Sequence, residues 1–594
     1  MTDLYVSHQS PTRMSVGSRQ AGSATTSKIR LEGSAKETLE QGRNRLVVAG
    51  VLFAFCFVVL AGRLIGLALT GVGSEVEDVA EDVAPKAAPI IHNVRAPIYD
   101  RAGNILAVTL DTVSLHANPK KVIDPVEAAQ KLSTVLKDLD VKAVERKLRL
   151  KRNFVWIERH LTPSQQKAIN NLGIPGVYFR KEERRVYPMG VLAAHLVGYT
   201  DIDNRGIAGA EKYFNEQLAG GSDRHAEALH LSVDLRVQYA LRDELSRYMS
   251  IFQAIGASGM VMDVRSGEIL GMVSLPDFDP NRPSDFPNDS KFNKATLGVY
   301  EMGSTFKTFT TAMALELKTV SLRNGYDATK PIRIAGFRIR DDHPKKRWLS
   351  VPEIYMYSSN IGTAKMADDV GPKRHRAFLE RLGLLRRPNI ELPEVGAPIL
   401  PPRWNTLETM TISFGHGLSV SPLQLSAATS AIVNGGIYRN PTILKRDAPE
   451  EVQGRRVISE ETSSVIRRLM RLVVEKGTGK QAAAKGYLVG GKTGTAEKAV
   501  NGRYKRDALV TSFVSAFPMD DPKYVVLAML DEPKGNASTH GFRSAGWTTA
   551  PIISRLISRI GPILGVKPVD EDSDKVRKRM FIPTYSREKK LATF

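Results

Sequence analysis

Residues 300–316 read YEMGSTFKTFTTAMALE, and within them Ser304 and Lys307 stand three apart at the head of an apolar run. On a helix that spacing places both side chains on one face. A lysine amine there can take the serine proton, provided burial leaves it partly neutral. Gly303 lets the backbone turn sharply just before the serine. At a helix N-terminus the free N–H groups and the dipole favour an alkoxide and a developing oxyanion. The S-x-x-K pattern occurs twice more. Ser164/Lys167 follows Thr162-Pro163 and precedes Gln165-Gln166, a polar helix start, and Ser586/Lys589 lies in a polar tail. Both read as ordinary surface turns.

Two further motifs lie downstream. Ser358-Ser359-Asn360 sits between helix-like segments at Val351–Tyr357 and Ile361–Val370. A loop serine can relay a proton and an asparagine can bind an amide, although Ser and Asn are also the preferred helix N-caps. Lys492-Thr493-Gly494-Thr495 follows Gly490-Gly491 on an expected strand. Small residues on a strand admit close approach of a substrate backbone, and an extended peptide can add to its edge. Lys492 and the threonine hydroxyls suit a carboxylate.

Singly each element is modest. In the order S-x-x-K, S-x-N, K-T-G they resemble the penicillin-binding proteins, over about residues 92–565. The resemblance implies an α+β fold: a transpeptidase domain of antiparallel sheet and helices, like the serine β-lactamases, on an α/β pedestal. It implies a D,D-transpeptidase that cross-links peptidoglycan stem peptides ending in D-Ala-D-Ala and is acylated by β-lactam antibiotics. Ser304, Lys307, Ser358 and Lys492 would be catalytic. Asn360, Thr493, Gly494 and Thr495 would bind substrate, and the N–H groups of Ser304 and Thr495 would form the oxyanion hole. No metal or cofactor is implied. The region before residue 228 is too short for a glycan-polymerising domain, so the arrangement resembles class B. YEMGSTFK, SSNIG at 358–362 and SFGHG at 413–417 look closer to the division-specific, septal type than to the elongation type. For a septal enzyme the family implies a membrane-embedded glycan polymerase and division scaffold proteins as partners.

Two positions depart from the family pattern: Ala96 stands where glycine is usual, and His416 where glutamine is expected. His416 reads first as a structural loop residue. Arg185, Gly209 and Glu211 match pedestal positions that read as structural.

Outward from the motifs, the chain divides into five parts. Residues 1–44 are rich in Ser, Thr, Gly and Gln and read as a disordered cytoplasmic tail. Residues 45–70 carry the run LVVAGVLFAFCFVVLAG from Leu46 to Gly62. A bilayer core of roughly 30 Å takes about 20 such residues, so this stretch reads as a single transmembrane anchor. Arg43 and Arg45 precede it and acidic residues follow, which orients the N-terminus to the cytoplasm and the rest outside the inner membrane. A pedestal is expected over 90–227, the transpeptidase domain over 228–567, and a polar tail over 568–594. In the pedestal, Arg95–Ala107 reads as strand, turn, strand; 125–150 and 162–172 read as helical, as does Gly206–Leu218. In the catalytic half, a helix to Met249 leads to strands Ser258–Asp263 and Ile269–Ser274. Residues 300–480 are mostly helical. A meander follows at Leu488–Ala496, Leu509–Phe517 and Tyr524–Leu530, with a hairpin turn at Asn501-Gly502, then an amphipathic helix over Pro551–Ile560.

Composition bounds the alternatives. Of 594 residues 84 are Lys or Arg and 63 Asp or Glu, a net charge of +21. That excess suits an anionic neighbour such as a lipid surface, but no zinc-finger spacing or RNA-binding signature supports nucleic acid. The one cysteine, Cys56, excludes an intrachain disulfide. A β-lactam sensor would need a larger membrane domain. A β-lactamase would need a motif for a deacylating water. A non-catalytic division scaffold would not need Ser304, Lys307 and Lys492 intact.

Overall fold

Strong N-caps and Pro at the first helical turn punctuate the chain. Asp124 accepts from Val126 N and Glu127 N ahead of Pro125, and Ser421 and Gln424 form a capping box around Pro422. The computed structural model describes residues 47, 49–63, 94–220, 225–447, 452–500 and 503–585. It divides into a unit up to His92 and a unit from Asn93 onward. In the first, residues 49–63 are helical and every side chain is exposed, Phe53, Phe55 and Phe57 included. Among the described residues no helix is long and apolar enough to cross a membrane. The expected tail at 1–44, and residues 45, 46, 48 and 64–70 of the expected anchor, lie outside the described residues.

The second unit opens with the pedestal. Strands β1 (Ile98–Tyr99), β2 (Ile105–Ala117), β3 (Val155–Leu161), β4 (Val177–Val186) and β5 (Leu229–His230) form one sheet. The 13-residue β2 is its spine, antiparallel to β1, β3 and β4. Helices α1 (Pro125–Val135), α2 (Val141–Leu148) and α3 (Pro163–Asn171) share a separate small core with it, around Leu115, Leu132, Leu148 and Ile157. The helix expected over Gly206–Leu218 is broken into Gly209–Tyr213 and Asn215–Ala219. Gly209 has φ +60° and lies so close to Gly198 that a Cβ would fall 2.5 Å from its nitrogen, so the first piece starts there rather than at Gly206, and Phe214, at φ −100° and ψ 26°, separates the two.

The pedestal is tied internally by a buried ion triad. Glu211 takes Arg185 Nε on Oε1 at 2.7 Å and Arg95 Nε on Oε2 at 2.7 Å. Arg95 Nη2 also donates to the Glu211 carbonyl at 2.8 Å. Buried charges need such pairing, and here only Arg185 Nη2 is left without a hydrogen-bond partner. Several links join the pedestal to the catalytic half: Gly209 N donates to the Glu394 carboxylate at 3.2 Å, Tyr187 N to Asn281 Oδ1 at 3.0 Å, and Gln238 Nε2 to Leu192 O at 2.8 Å. Ala96 is buried and donates its N–H to Leu218 O at 2.8 Å, so the strand start is secured with alanine in place.

The catalytic half is built on a five-stranded antiparallel sheet. Its strands are β6 (Gly256–Asp263), β7 (Ile269–Leu275), β8 (Gly490–Val500), β9 (Arg503–Phe517) and β10 (Tyr524–Asp531), in the order β8-β9-β10-β6-β7. Period-2 alternation sorts its side chains. Met260 and Met262 face one core, while Val261 faces the other. The second core is covered by α4 (Leu235–Ile251) and α10 (Ala550–Ile563), which present Leu241, Leu245, Ile553 and Leu556. On the first face lie α5 (Lys307–Glu316), α6 (Val351–Tyr357), α7 (Asn360–Val370), α8 (Pro422–Val433) and α9 (Glu460–Glu475). Every residue of α8 is buried, and hydroxyls in it are paired inside the helix: Ser426 Oγ donates to Pro422 O and Thr429 Oγ1 to Leu425 O. The hairpin β8–β9 runs longer than expected, with Val500 paired to Arg503. Its turn at Asn501-Gly502 lies outside the described residues.

The polar tail also has a place. Residues Asp574–Met580 form a short helix, and Met580 and Ile582 are buried against the main core. Ser586 and Lys589 lie outside the described residues.

Candidate active site

Three elements deliver the three motifs to one point. Ser304 does not open an α-helix. It sits in a 3-10 turn, Gly303–Phe306, that feeds directly into α5 at Lys307. The cause is Gly303, at φ +52°, wedged against β8: a Cβ there would lie 2.6 Å from Thr495 O and 3.2 Å from Thr495 N. The approach is mutual, since a Cβ on Gly494 would lie 2.5 Å from Met302 O. Two glycines thus bring the backbones at Ser304 and Thr495 side by side.

Lys307 is fully buried. Its Nζ lies 2.6 Å from Ser304 Oγ, 2.6 Å from Asn360 Oδ1, 2.9 Å from Ser358 O and 3.1 Å from Ser358 Oγ. Burial pulls its pKa down to about 7, against the opposing pull of Asp342 and Asp341. Near neutral pH a large fraction is therefore free amine, able to accept the Ser304 proton.

Ser358 ends α6 in a left-handed conformation, φ 61° and ψ 43°. For a residue with a side chain this costs about 1–2 kcal/mol. The conformation turns its hydroxyl between two lysines, since Lys492 Nζ stands 2.9 Å away on the far side. Lys492 is also fully buried, and burial first, then the Lys307 charge, holds its pKa well below the ordinary lysine value. Two like charges cannot both persist so close, so Lys307, Ser358 and Lys492 titrate as one system.

Asp341 fixes the S-x-N turn. Its carboxylate accepts from Ser359 Oγ at 2.8 Å and from Ile361 N at 2.9 Å. The sequence carries no signal for this residue, because it lies about twenty positions upstream in a polar loop. Asn360 Nδ2 donates to Arg340 O at 2.9 Å, so both ends of its amide are engaged within the protein.

On β8, Thr493 Oγ1 lies 2.8 Å from Thr478 Oγ1 and 3.3 Å from Lys492 Nζ. Thr495 Oγ1 accepts from Ala545 N at 3.2 Å, which leaves its own proton to donate. β8 is an edge strand, so one rim of its backbone has no strand beside it.

His416 is half-buried at the border of the site. Its ring is edge-on to Tyr504 at 6.0 Å, and burial lowers its pKa, so the imidazole is neutral at pH 7. Tyr504 Oη donates to Glu301 Oε1 at 2.8 Å, and Gly417 N donates to the same oxygen at 2.8 Å. Ser164 and Lys167, by contrast, are both exposed on a pedestal helix. Among the described residues no group of three or more His, Cys, Asp or Glu side chains is placed to hold a metal ion.

Comparison with known proteins identifies the family. The penicillin-binding protein transpeptidase domain matches residues 257–554, and the penicillin-binding protein dimerisation domain matches residues 90–226. The chain is 39% identical to the probable peptidoglycan D,D-transpeptidase FtsI of Caulobacter vibrioides, over 88% of this chain and 89% of that one. It is 30% identical to the peptidoglycan D,D-transpeptidase FtsI of Escherichia coli K12, over 80% and 84% of the two chains. Among solved structures it is similar to penicillin-binding protein 3 of Mycobacterium tuberculosis in complex with ampicillin, with TM-score 0.64 and 25% identity over 81% of this chain and 98% of that one. The chain belongs to the class B penicillin-binding proteins and is a serine-type peptidoglycan D,D-transpeptidase.

Proposed function

We propose that this transpeptidase works through an acyl-enzyme on Ser304 in septal wall synthesis, and that β-lactams acylate the same oxygen. The observation that carries the reading is the 2.6 Å contact between Ser304 Oγ and a fully buried Lys307. Neutral Lys307 takes the Ser304 proton as Oγ attacks the carbonyl carbon of the penultimate D-alanine. The N–H groups of Ser304 and Thr495 hold the oxyanion. The C–N bond then breaks, and the leaving D-alanine amine takes its proton from the Lys307–Ser358–Lys492 chain. An amine from a second stem peptide attacks the acyl carbon. A C–N bond forms, the C–O bond to Ser304 breaks, and Oγ regains a proton.

Substrate binding follows from β8. The donor peptide lies along its open edge, with Gly494 leaving room and the hydroxyls of Thr493 and Thr495 holding the terminal carboxylate. Asn360 orients Lys307, and it binds the substrate amide when Nδ2 leaves Arg340 O. The domain plan is an anchor at 45–70, a pedestal at 90–227 and a catalytic domain at 228–567. The bare apolar helix at 49–63 supports a place in the cytoplasmic membrane, with the N-terminus inside and the catalytic domain outside. The partners are a membrane-embedded septal glycan polymerase and division scaffold proteins. Likeness to FtsI proteins over most of the chain supports the septal role.

The test is covalent labelling of the full chain by a fluorescent penicillin. A stable adduct is expected, lost in Ser304→Ala and retained in Ser164→Ala. An adduct that survives Ser304→Ala refutes the assignment.

A further inference from the structure

We propose that the C-terminal segment 569–585 is a strap that sets the position of the Lys492–Thr495 strand, with Glu571 as its positioning residue. The proposal rests on the proposed roles of Ser304 and Lys492 and adds a part that lies beyond the residues matched by the transpeptidase family.

β8 is held along its length on one side only, by β9. Its middle meets the turn at Met302–Gly303, and a further constraint lies at the foot, just before Gly490-Gly491. There Val489 O accepts from Arg471 Nη1 at 3.1 Å. Arg471 projects from α9 and is buried, so its guanidinium needs full pairing. Nε meets Glu475 at 2.8 Å, and Nη2 meets Glu571 Oε2 at 2.7 Å. The second oxygen of Glu571 accepts from Gly486 N at 3.0 Å, and Val569 N donates to Gly486 O at 2.9 Å. One tail carboxylate therefore grips the strand's approach both directly and through Arg471. The tail is itself fastened beyond this point. Met580 and Ile582 are buried in the main core, and Arg579 Nη2 donates to Asp520 O at 2.8 Å.

Lys492 comes three residues after Val489, roughly 10 Å along an extended strand. Its 2.9 Å contact with Ser358 and the placing of Thr493 and Thr495 depend on where that foot is held. A displacement of about 1 Å in such a constellation can lower the rate about 100-fold.

The test uses the full chain and two variants, Glu571→Gln and a stop after Pro568. A fluorescent penicillin reads two quantities: the rate of Ser304 acylation and the fraction of molecules finally labelled. Slowing of about tenfold or more at an unchanged final fraction is expected. A fall in the final fraction at an unchanged rate means the tail only stabilises the fold, and overturns the proposal. So does wild-type behaviour in Glu571→Gln. Failure of the wild-type chain to label at Ser304 would refute the proposed function, a distinct outcome.

Discussion

The chemistry turns on the protonation of one amine. Lys307 has its pKa lowered to about 7 by burial, so its base form is gained as pH rises through that value. The rate of penicillin acylation by the free enzyme is expected to climb with pH up to about 7 and level above it, as stopped-flow labelling across pH 5–9 would show. Lys307→Arg keeps a cation that cannot lose its proton. It should lower the plateau rate above pH 7 by at least about 100-fold, the lower end of the range for loss of a positioned base. A pH profile unchanged in position for Lys307→Arg would reassign the titrating group. His416 is neutral and beside Tyr504 rather than on Ser304, so His416→Gln is expected to shift the same rate by less than about threefold.

Among the elements, the decisive contact is backbone on backbone: the turn before Ser304 against β8. Gly494→Ala puts a methyl where only 2.5 Å separates its Cβ from Met302 O. Neither main chain can yield without moving Ser304 or Thr495. Acylation is expected to fall about 100-fold, with the far-ultraviolet circular dichroism unchanged; a wild-type rate would show that the gap can open freely. The sequence disclosed much at this level. Val351–Tyr357 is helical over the expected residues, because Ser350 and Glu353 cap it and Ser358 stops it. The strands of the meander overlap the expected segments, with the first two extended toward their shared turn. All three motifs meet within hydrogen-bond reach, which their order had suggested. What was not legible depends on residues far apart in the chain. The 3-10 turn at Ser304 is imposed by β8, nearly two hundred residues on. Asp341 and the Arg471–Glu571 pair gain meaning only from what folds against them. The tail read as a polar end from its composition, yet it docks through Met580 and Ile582 together with the contacts of Glu571 and Arg579.

Across the whole molecule, stability in the pedestal centres on Glu211, which sits between Arg95 and Arg185. Glu211→Gln would leave two buried guanidinium groups without a counter-charge. Removing one member of a buried ion pair costs about 3–5 kcal/mol, so chemical unfolding of the chain should begin at distinctly lower urea. Unfolding at the wild-type midpoint would mean that water reaches the triad. A second trait of the same region concerns its ends. Incoming β1 and outgoing β5 lie side by side as a parallel pair, Ile98 beside Leu229 and Tyr99 beside His230. Everything between them is a closed excursion from a single doorway. Exchanging such a region for a relative's needs only two adjoining chain seams, but must also rematch its contacts with the catalytic half, among them Tyr187 with Asn281, His195 with Ser290 and Leu192 with Gln238. Chimaeras joined at that doorway and rematched along those contacts would exchange one pedestal for another on the same catalytic half.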